Sequence, residues 1–387
     1  MKPICSFSAI LVCLSLSLAG CSDDNDGNPN NNDPSLILVA NQNSDDISSV
    51  DYQSGAVTPG LGGIDIGPTA NRLVVRGARA YVVDSGAFPG ATGANVKVID
   101  LSNKTVINTI PFPDGDNPWA IAFVSDTKAY VTTLYGNNVT IINPDLSGAV
   151  AILDTIDLPE FIGPDGPVPA GPEGIVVSAG YAYTANTAWD GQSFSYLPGS
   201  VSVIDTATDS VVDVDNSPEN GTNTPIFTSQ INPTDLAVDA EGQINVLCTG
   251  DYFSQFGVLD VIDPGTWTIH SVALGGSPGI LSASSGWAVA GASDMDSCDA
   301  YVVNTADNTV MRDSSNPLAL ISTSSWCTTG KIAFAHTGDG LKAYVPAGAA
   351  GAEAALLELT FSPAVQVSRS FNLAPEADLP AAAGVVY

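Results

Sequence analysis

The chain has 387 residues and carries 41 acidic against 11 basic side chains, a formal net charge of −30. That balance argues against nucleic acid and anionic lipid headgroups as partners. Only two histidines are present, which excludes a multi-histidine copper or haem centre, and no Gly-rich phosphate loop follows a strand.

Residues 1–20 read as a targeting segment. Lys2 gives a thin positive start, and Ile4 to Leu18 is an apolar run too short for a stable span. Leu18-Ala-Gly-Cys21 resembles a bacterial lipobox, which implies cleavage before Cys21 and lipidation of its sulfur. A plain cleaved signal peptide is the alternative. Residues 21–35 are rich in Asn and Asp and have nothing to bury, so they read as a disordered tether. Acyl chains on Cys21 would hold the protein to a membrane without a transmembrane helix. Ser22 beside the cysteine is compatible with an outer-membrane address in the cell envelope, facing the periplasm or the surface. The acidic start of the tether also resembles surface-export signals, the alternative being an ordinary spacer.

Residues 36–387 repeat one unit about seven times. An Asp or Asn closes a β-branched run, and a small or apolar residue returns six positions later: Asp51 with Val57, Asp100 with Val106, Asn143 with Ala149, Asp205 with Val211, Asp263 with Ile269, Asn304 with Val310. Leu359 replaces the Asx in the last unit. A second landmark is a Pro followed by apolar residues, at 68, 118, 172, 233, 278 and 380, with Thr329 in that place once. No stretch keeps a helical period. Four short strands per unit predict an all-β fold, a seven-bladed β-propeller of four antiparallel strands per blade. Residues 36–66 lack a Pro-led first strand, whereas Pro380–Tyr387 is a first strand with nothing after it. Joining the two completes blade 1 and closes the ring. The terminal Asx is expected to bond the backbone two residues on and so shape the turn to strand four.

Second strands such as Ala80-Tyr81-Val-Val-Asp84 and Ala129-Tyr130-Val-Thr-Thr133, with third strands such as Val201-Ser-Val-Ile-Asp205-Thr-Ala-Thr, resemble the YVTN family of bacterial β-propellers, a WD40-like repeat. The resemblance spans nearly all of 36–387. It implies the fold, while the family holds surface-layer-like proteins, lactonase-like enzymes and proteins without a known activity.

Three cysteines lie beyond the leader and Cys21. Cys298 and Cys327 fall in loops expected on one face and are expected to pair, with Cys248 buried and free.

The one-to-two and three-to-four turns are short. The long loops, 85–95, 187–200, 249–258 and 292–299, share the opposite face with the crossovers. Their aromatic and acidic content, Phe88, Trp189, Asp190, Phe194, Tyr196, Asp251, Tyr252, Phe253 and Phe256, suits a protein, glycan or small ligand. The alternative is a lid over the blade ends. Asn71, Trp119, Glu173 and Asp235 are placed along the central channel. Glu173 and Asp235 are the candidates for a central cation, and Asp294, Asp296 and Asp299 for Ca²⁺ in a loop. Hydrated channel walls and solvated turns are the alternatives. No catalytic residue is assigned. The expected function is non-catalytic recognition on the long-loop face. A metal-assisted lactonase-like hydrolase and a structural envelope component are the other readings.

Overall fold

The computed structural model describes residues 33–215, 223–293, 297–323, 325–349, 354–374 and 379–387. The leader, Cys21 and most of the tether lie outside them.

Seven antiparallel blades stand around a central axis, each with four strands in series, and three of them carry one further short strand. Blade 1 takes its inner strand, Pro380–Val386, from the C-terminal segment and its others from Leu36–Asn41, Asp46–Asp51 and Val57–Thr58. Leu36 pairs with Val386 and Asn41 with Pro380, so the ring closes by backbone ladder as the sequence predicts. The inner strands of blades 2 to 6 are Ala70–Arg76, Pro118–Ser125, Pro172–Ser178, Pro233–Val238 and Pro278–Ser284. In blade 7 the inner strand is split into Cys327–Thr329 and Ala333–Thr337. Blade 2 corrects the sequence reading by two residues, since Ala70 rather than Pro68 pairs with the end of strand two.

The Asx expectation is met in detail. The Oδ1 atoms of Asp100, Asn143, Asp205, Asp263 and Asn304 each accept from the backbone N–H two residues on, at 2.7–3.1 Å. Asp51 instead accepts from Ser54 N, three residues on, at 2.7 Å. Four residues after the Asx, Gly55, Lys104, Asp209, Trp267 and Asn308 take positive φ, which turns the chain into strand four. Blade 3 departs: Ala149 opens a short 3-10 turn, Ala149–Ala151, and strand four begins at Ile152. In blade 7 Leu359 is fully buried instead of capping.

Among the described residues the core is seven apolar clusters, one at each blade interface. The repeat tyrosines supply bulk there: Tyr130, Tyr183 and Tyr344 are among the largest fully buried side chains. Side-chain hydroxyls then staple neighbouring blades. Ser85 Oγ donates to Pro118 O, Thr132 Oγ1 to Glu173 O and Thr249 Oγ1 to Pro278 O, at 2.5–2.7 Å. These bonds tie blade 2 to 3, blade 3 to 4 and blade 5 to 6 at the start of the inner strands.

Candidate functional site

In blades 1 to 6 the inner strand slips register directly after its first paired residue. Such a bulge bends the strand and re-aims the side chains beside it. Two positions after the start, the ring reads Ala382, Arg72, Ala120, Gly174, Asp235, Ile280 and Lys331. Lys331 is fixed by a bridge to blade 1, with its N–H donating to Ala381 O and its C=O accepting from Ala383 N, both at 2.8 Å.

Asp235 stands between two cations. Arg72 Nη2 lies 3.3 Å from Oδ1 and Lys331 Nζ 2.9 Å from Oδ2. Leu236 N donates to Oδ1 at 3.0 Å and Leu281 N to Oδ2 at 2.9 Å. Burial pushes the carboxyl up, but Lys331, Arg72 and the Leu281 N–H together outweigh it and hold it below the ordinary carboxylate range. Asp235, expected from the sequence to face a central cation, is thus paired with two cationic side chains. Its charge is already answered, and a bound cation would face two fixed positive charges. No group of three His, Cys, Asp or Glu side chains gathers for a metal among the described residues.

Glu173 precedes Gly174 on the long-loop side of this cluster. A Cβ on Gly174 would stand 2.8 Å from Asp235 Cα, so only glycine lets the two strands approach here. Glu173 is partly exposed on the inner strand Pro172–Ser178. Burial pushes its carboxyl up to about 8, with Arg72 opposing and Asp235 adding to the rise. Unlike Asp235, it has no ion pair within 4 Å among those the structure shows. At neutral pH it is therefore mostly protonated and can donate a hydrogen bond.

Two tyrosines from the long loops lie close enough to feel the Glu173 charge. Tyr196 is raised by burial, then by Tyr252 and by Glu173. Tyr252 is raised by burial and by Glu173, and Asn232 opposes the rise by hydrogen bonding. Tyr196 sits on a short hairpin in which Trp189 pairs with it across the strands, ring centroids 4.7 Å apart. Phe194 at the hairpin tip lies 6.2 Å from Trp189. The mouth of the channel thus joins neutral donors to exposed aromatic faces.

The other loop residues divide by exposure. Phe88, Phe194 and Phe253 are at least 80% exposed, and Trp189, Tyr252 and Phe256 about half. Large exposed rings do not form a lid over core. The two acidic loop residues act differently from a ligand contact. Asp190 accepts from Gln192 N and from Ser193 Oγ, at 2.9 and 2.6 Å. Asp251 accepts from the backbone of Phe253, Ser254 and Gln255, at 2.7–2.9 Å. Both carboxyls shape their own turns, and these bonds hold them below the ordinary range.

Asp294 and Asp296 lie outside the described residues. Asp299 is on strand Ser297–Asn304 and accepts from Ser297 Oγ at 2.9 Å. Cys298 and Cys327 are joined by a disulfide with Cα atoms 5.4 Å apart. They lie on strands, where the sequence suggests loops: Cys298 on that same third strand of blade 6 and Cys327 on the first inner segment of blade 7. Cys248 is buried and unpaired with another cysteine.

Arg72 and Lys331 escape the sequence reading, which places Asn71 at the channel in blade 2. The signal is there in principle. Among 11 basic residues, two occupy the same place in the repeat, where other blades carry Ala, Gly, Ile or Asp.

No family model matches the chain, and no curated protein matches it in sequence. Solved structures do match in shape. A 6-phosphogluconolactonase-like protein of Bacteroides fragilis aligns with TM-score 0.57 at 13% identity, over 91% of this chain and 98% of that one. A similar protein of Bacteroides uniformis aligns with TM-score 0.56 at 14% identity, over 92% and 100%. The virginiamycin B lyase of Staphylococcus aureus aligns with TM-score 0.54 at 11% identity, over 81% and 87%. At these identities the likeness speaks for the β-propeller fold alone.

Proposed function

We propose that this protein is an exported, lipid-tethered recognition module that binds an uncharged, hydroxyl-rich ligand, a glycan foremost, at the long-loop mouth of the channel. The observation that carries this reading is the Glu173–Tyr196–Tyr252 cluster. It offers three neutral hydrogen-bonding groups beside the exposed faces of Trp189 and Tyr252. Aromatic faces give contact area at low entropy cost, and neutral donors fix orientation without demanding a charge.

Asp33 Oδ1 accepts from Gly338 N at 2.8 Å, so the chain enters the ring on the short-loop face, opposite the aromatic loops. The YVTN-like repeats are compatible with such a surface protein.

The test is a neutral-glycan array probed with the purified protein and with Trp189→Ala and Tyr252→Ala. Binding that both variants lose, at unchanged melting temperature, supports the reading. Failure to retain any neutral glycan contradicts it. A second reading is favoured by one observation, the Glu173 carboxyl near 8, which suits a general acid or base at neutral pH. Turnover of a lactone or ester that Glu173→Gln abolishes would establish it.

A further inference from the structure

The crossover from blade 3 to blade 4 carries a hairpin of its own, Phe161–Gly163 paired with Gly166–Val168 and with no other strand among the described residues. Residues directly opposite share a face. Phe161 and Val168 make the inner face: Val168 is buried, and Phe161 packs on the apolar cluster between blades 3 and 4. Gly163 lies close over Asp190, where a Cβ would stand 3.2 Å from Oδ2. The hairpin is therefore seated on the protein. Ile162 and Pro167 form its outer face, and Ile162 is 83% exposed. Phe227, half exposed, meets the Phe161 ring edge-on at 6.4 Å and extends the apolar surface toward blade 4.

The backbone of Ile162 is as open as its side chain. Antiparallel pairs alternate between those that exchange hydrogen bonds and those whose N–H and C=O point away from the partner. Pro167 has no N–H to exchange, which makes Ile162–Pro167 a pair of the second kind. Among the described residues Ile162 makes no backbone hydrogen bond outside the hairpin. An unpaired strand edge is a template for an added strand, and peptide-binding domains use it so. Charge decides what that strand would be. Glu160 precedes Phe161, Asp165 sits in the hairpin turn, and both are exposed. Neither is in an ion pair among the described residues. No Lys or Arg occurs between Lys128 and Arg312, so blades 4 and 5 hold no such cation of their own to answer them. A negative field around an apolar patch favours a positive partner and rejects an acidic one.

We propose that the Phe161–Gly163 edge docks an extended basic segment of a protein partner, added as a strand beside Ile162. Residues two apart share a face of a strand. The segment therefore sets an apolar side chain against Ile162 and a Lys or Arg two positions to either side of it, toward Glu160 and Asp165. This surface uses none of the residues of the glycan reading and does not depend on it.

Calorimetric titration of the full protein with the end-capped peptide Lys-Thr-Val-Thr-Lys, and with its acidic counterpart Glu-Thr-Val-Thr-Glu, tests it. Salt of about 0.15 M screens charges beyond roughly 8 Å and so removes the pull of the distant acidic surface. The basic peptide should bind one to one and at least tenfold more tightly than the acidic one, about 1.4 kcal/mol. Ile162→Pro removes the edge N–H, which the hairpin itself does not use, and should weaken binding at least tenfold. Glu160→Gln combined with Asp165→Asn should do the same. Trp189→Ala should leave binding unchanged. All the substituted hairpin positions are exposed, so the melting temperature should stay that of the parent. Should Ile162→Pro disturb the hairpin, the double variant and the acidic peptide still decide. No saturable binding of the basic peptide, equal affinity for the acidic one, or full affinity in the double variant would each overturn the proposal.

Discussion

Arg72 of blade 2 and Asp235 of blade 5 meet across the ring axis, Nη2 3.3 Å from Oδ1, with both side chains almost wholly out of solvent. Lys331 of blade 7 completes the contact from a third direction. Three blades distant in sequence are thereby tied at the centre, beside an axial pocket lined by the inner strands. The mouth has neutral donors and aromatic rings. The axial pocket is lined mainly by apolar side chains.

Removing Asp235 should cost far more than an exposed ion pair is worth. Asp235→Ala leaves Arg72 and Lys331 facing each other without their shared carboxylate. Loss of one partner from a buried pair costs about 3–5 kcal/mol. Urea denaturation at pH 7 should show a drop of that size. The sign with pH also follows. The folded carboxyl is held below its unfolded value, so its stabilisation is present above the unfolded pKa and is lost as pH falls through the folded one. Asp235→Ala should therefore show a shallower acid limb than the parent.

Glu173 has the opposite sign. Its folded pKa, about 8, lies well above the ordinary glutamate value of 4.5. The folded state binds the proton more tightly, so this stabilisation is complete below the unfolded pKa and is lost as pH rises toward 8. Glu173→Gln keeps the neutral form at every pH. Its melting temperature should fall less between pH 5 and 8 than that of the parent, and the two curves should converge at the acid end. A parallel pair of curves would show that Glu173 does not titrate in this window.

The disulfide should stabilise by limiting the unfolded chain. It spans 29 residues and links blade 6 to blade 7. A loop of that length is worth about 3.6 kcal/mol in the chain-entropy account. Cys298→Ser should lower stability by that order. Under denaturing, non-reducing conditions it should also release one additional titratable thiol, from Cys327. An unchanged thiol count would remove the bond from the account.

Exposed and buried aromatics should part company on truncation. Trp189→Ala and Tyr252→Ala remove side chains that are 43% and 47% exposed, so unfolding free energy should change by about 1 kcal/mol or less. Tyr183→Ala removes a ring that is fully buried between blades 4 and 5 and should cost about 3–5 kcal/mol. Equal losses for all three would return the loop aromatics to a structural role.

The architecture was legible because it is written seven times. The capping Asx, the repeat tyrosines and the strand that closes the ring are each local patterns, and they lead to one topology. The site was legible only in part. Glu173 and Asp235 fall at the channel because both follow an inner-strand Pro, but their opposite chemistry depends on partners from other blades. Arg72 answers Asp235 across a turn of the ring that no local pattern reveals. Pro68 misled the register in blade 2, where Ala70 holds the structural place of the other prolines. Asp190 and Asp251 read as ligand contacts because acidic loop residues often are, yet their own turns use them. The axial pocket was invisible for a different reason. It belongs to strand interiors, where the sequence pattern signals packing alone.

The most direct measurement is the titration of Glu173 followed by carbon-13 NMR on protein labelled at glutamate, with Glu173→Gln assigning the resonance. The account predicts a midpoint near 8, with glycan binding at the mouth weakening over the same interval as the donor is lost. A midpoint at the ordinary glutamate value of about 4.3 would contradict it, because the mouth would then present a carboxylate at neutral pH.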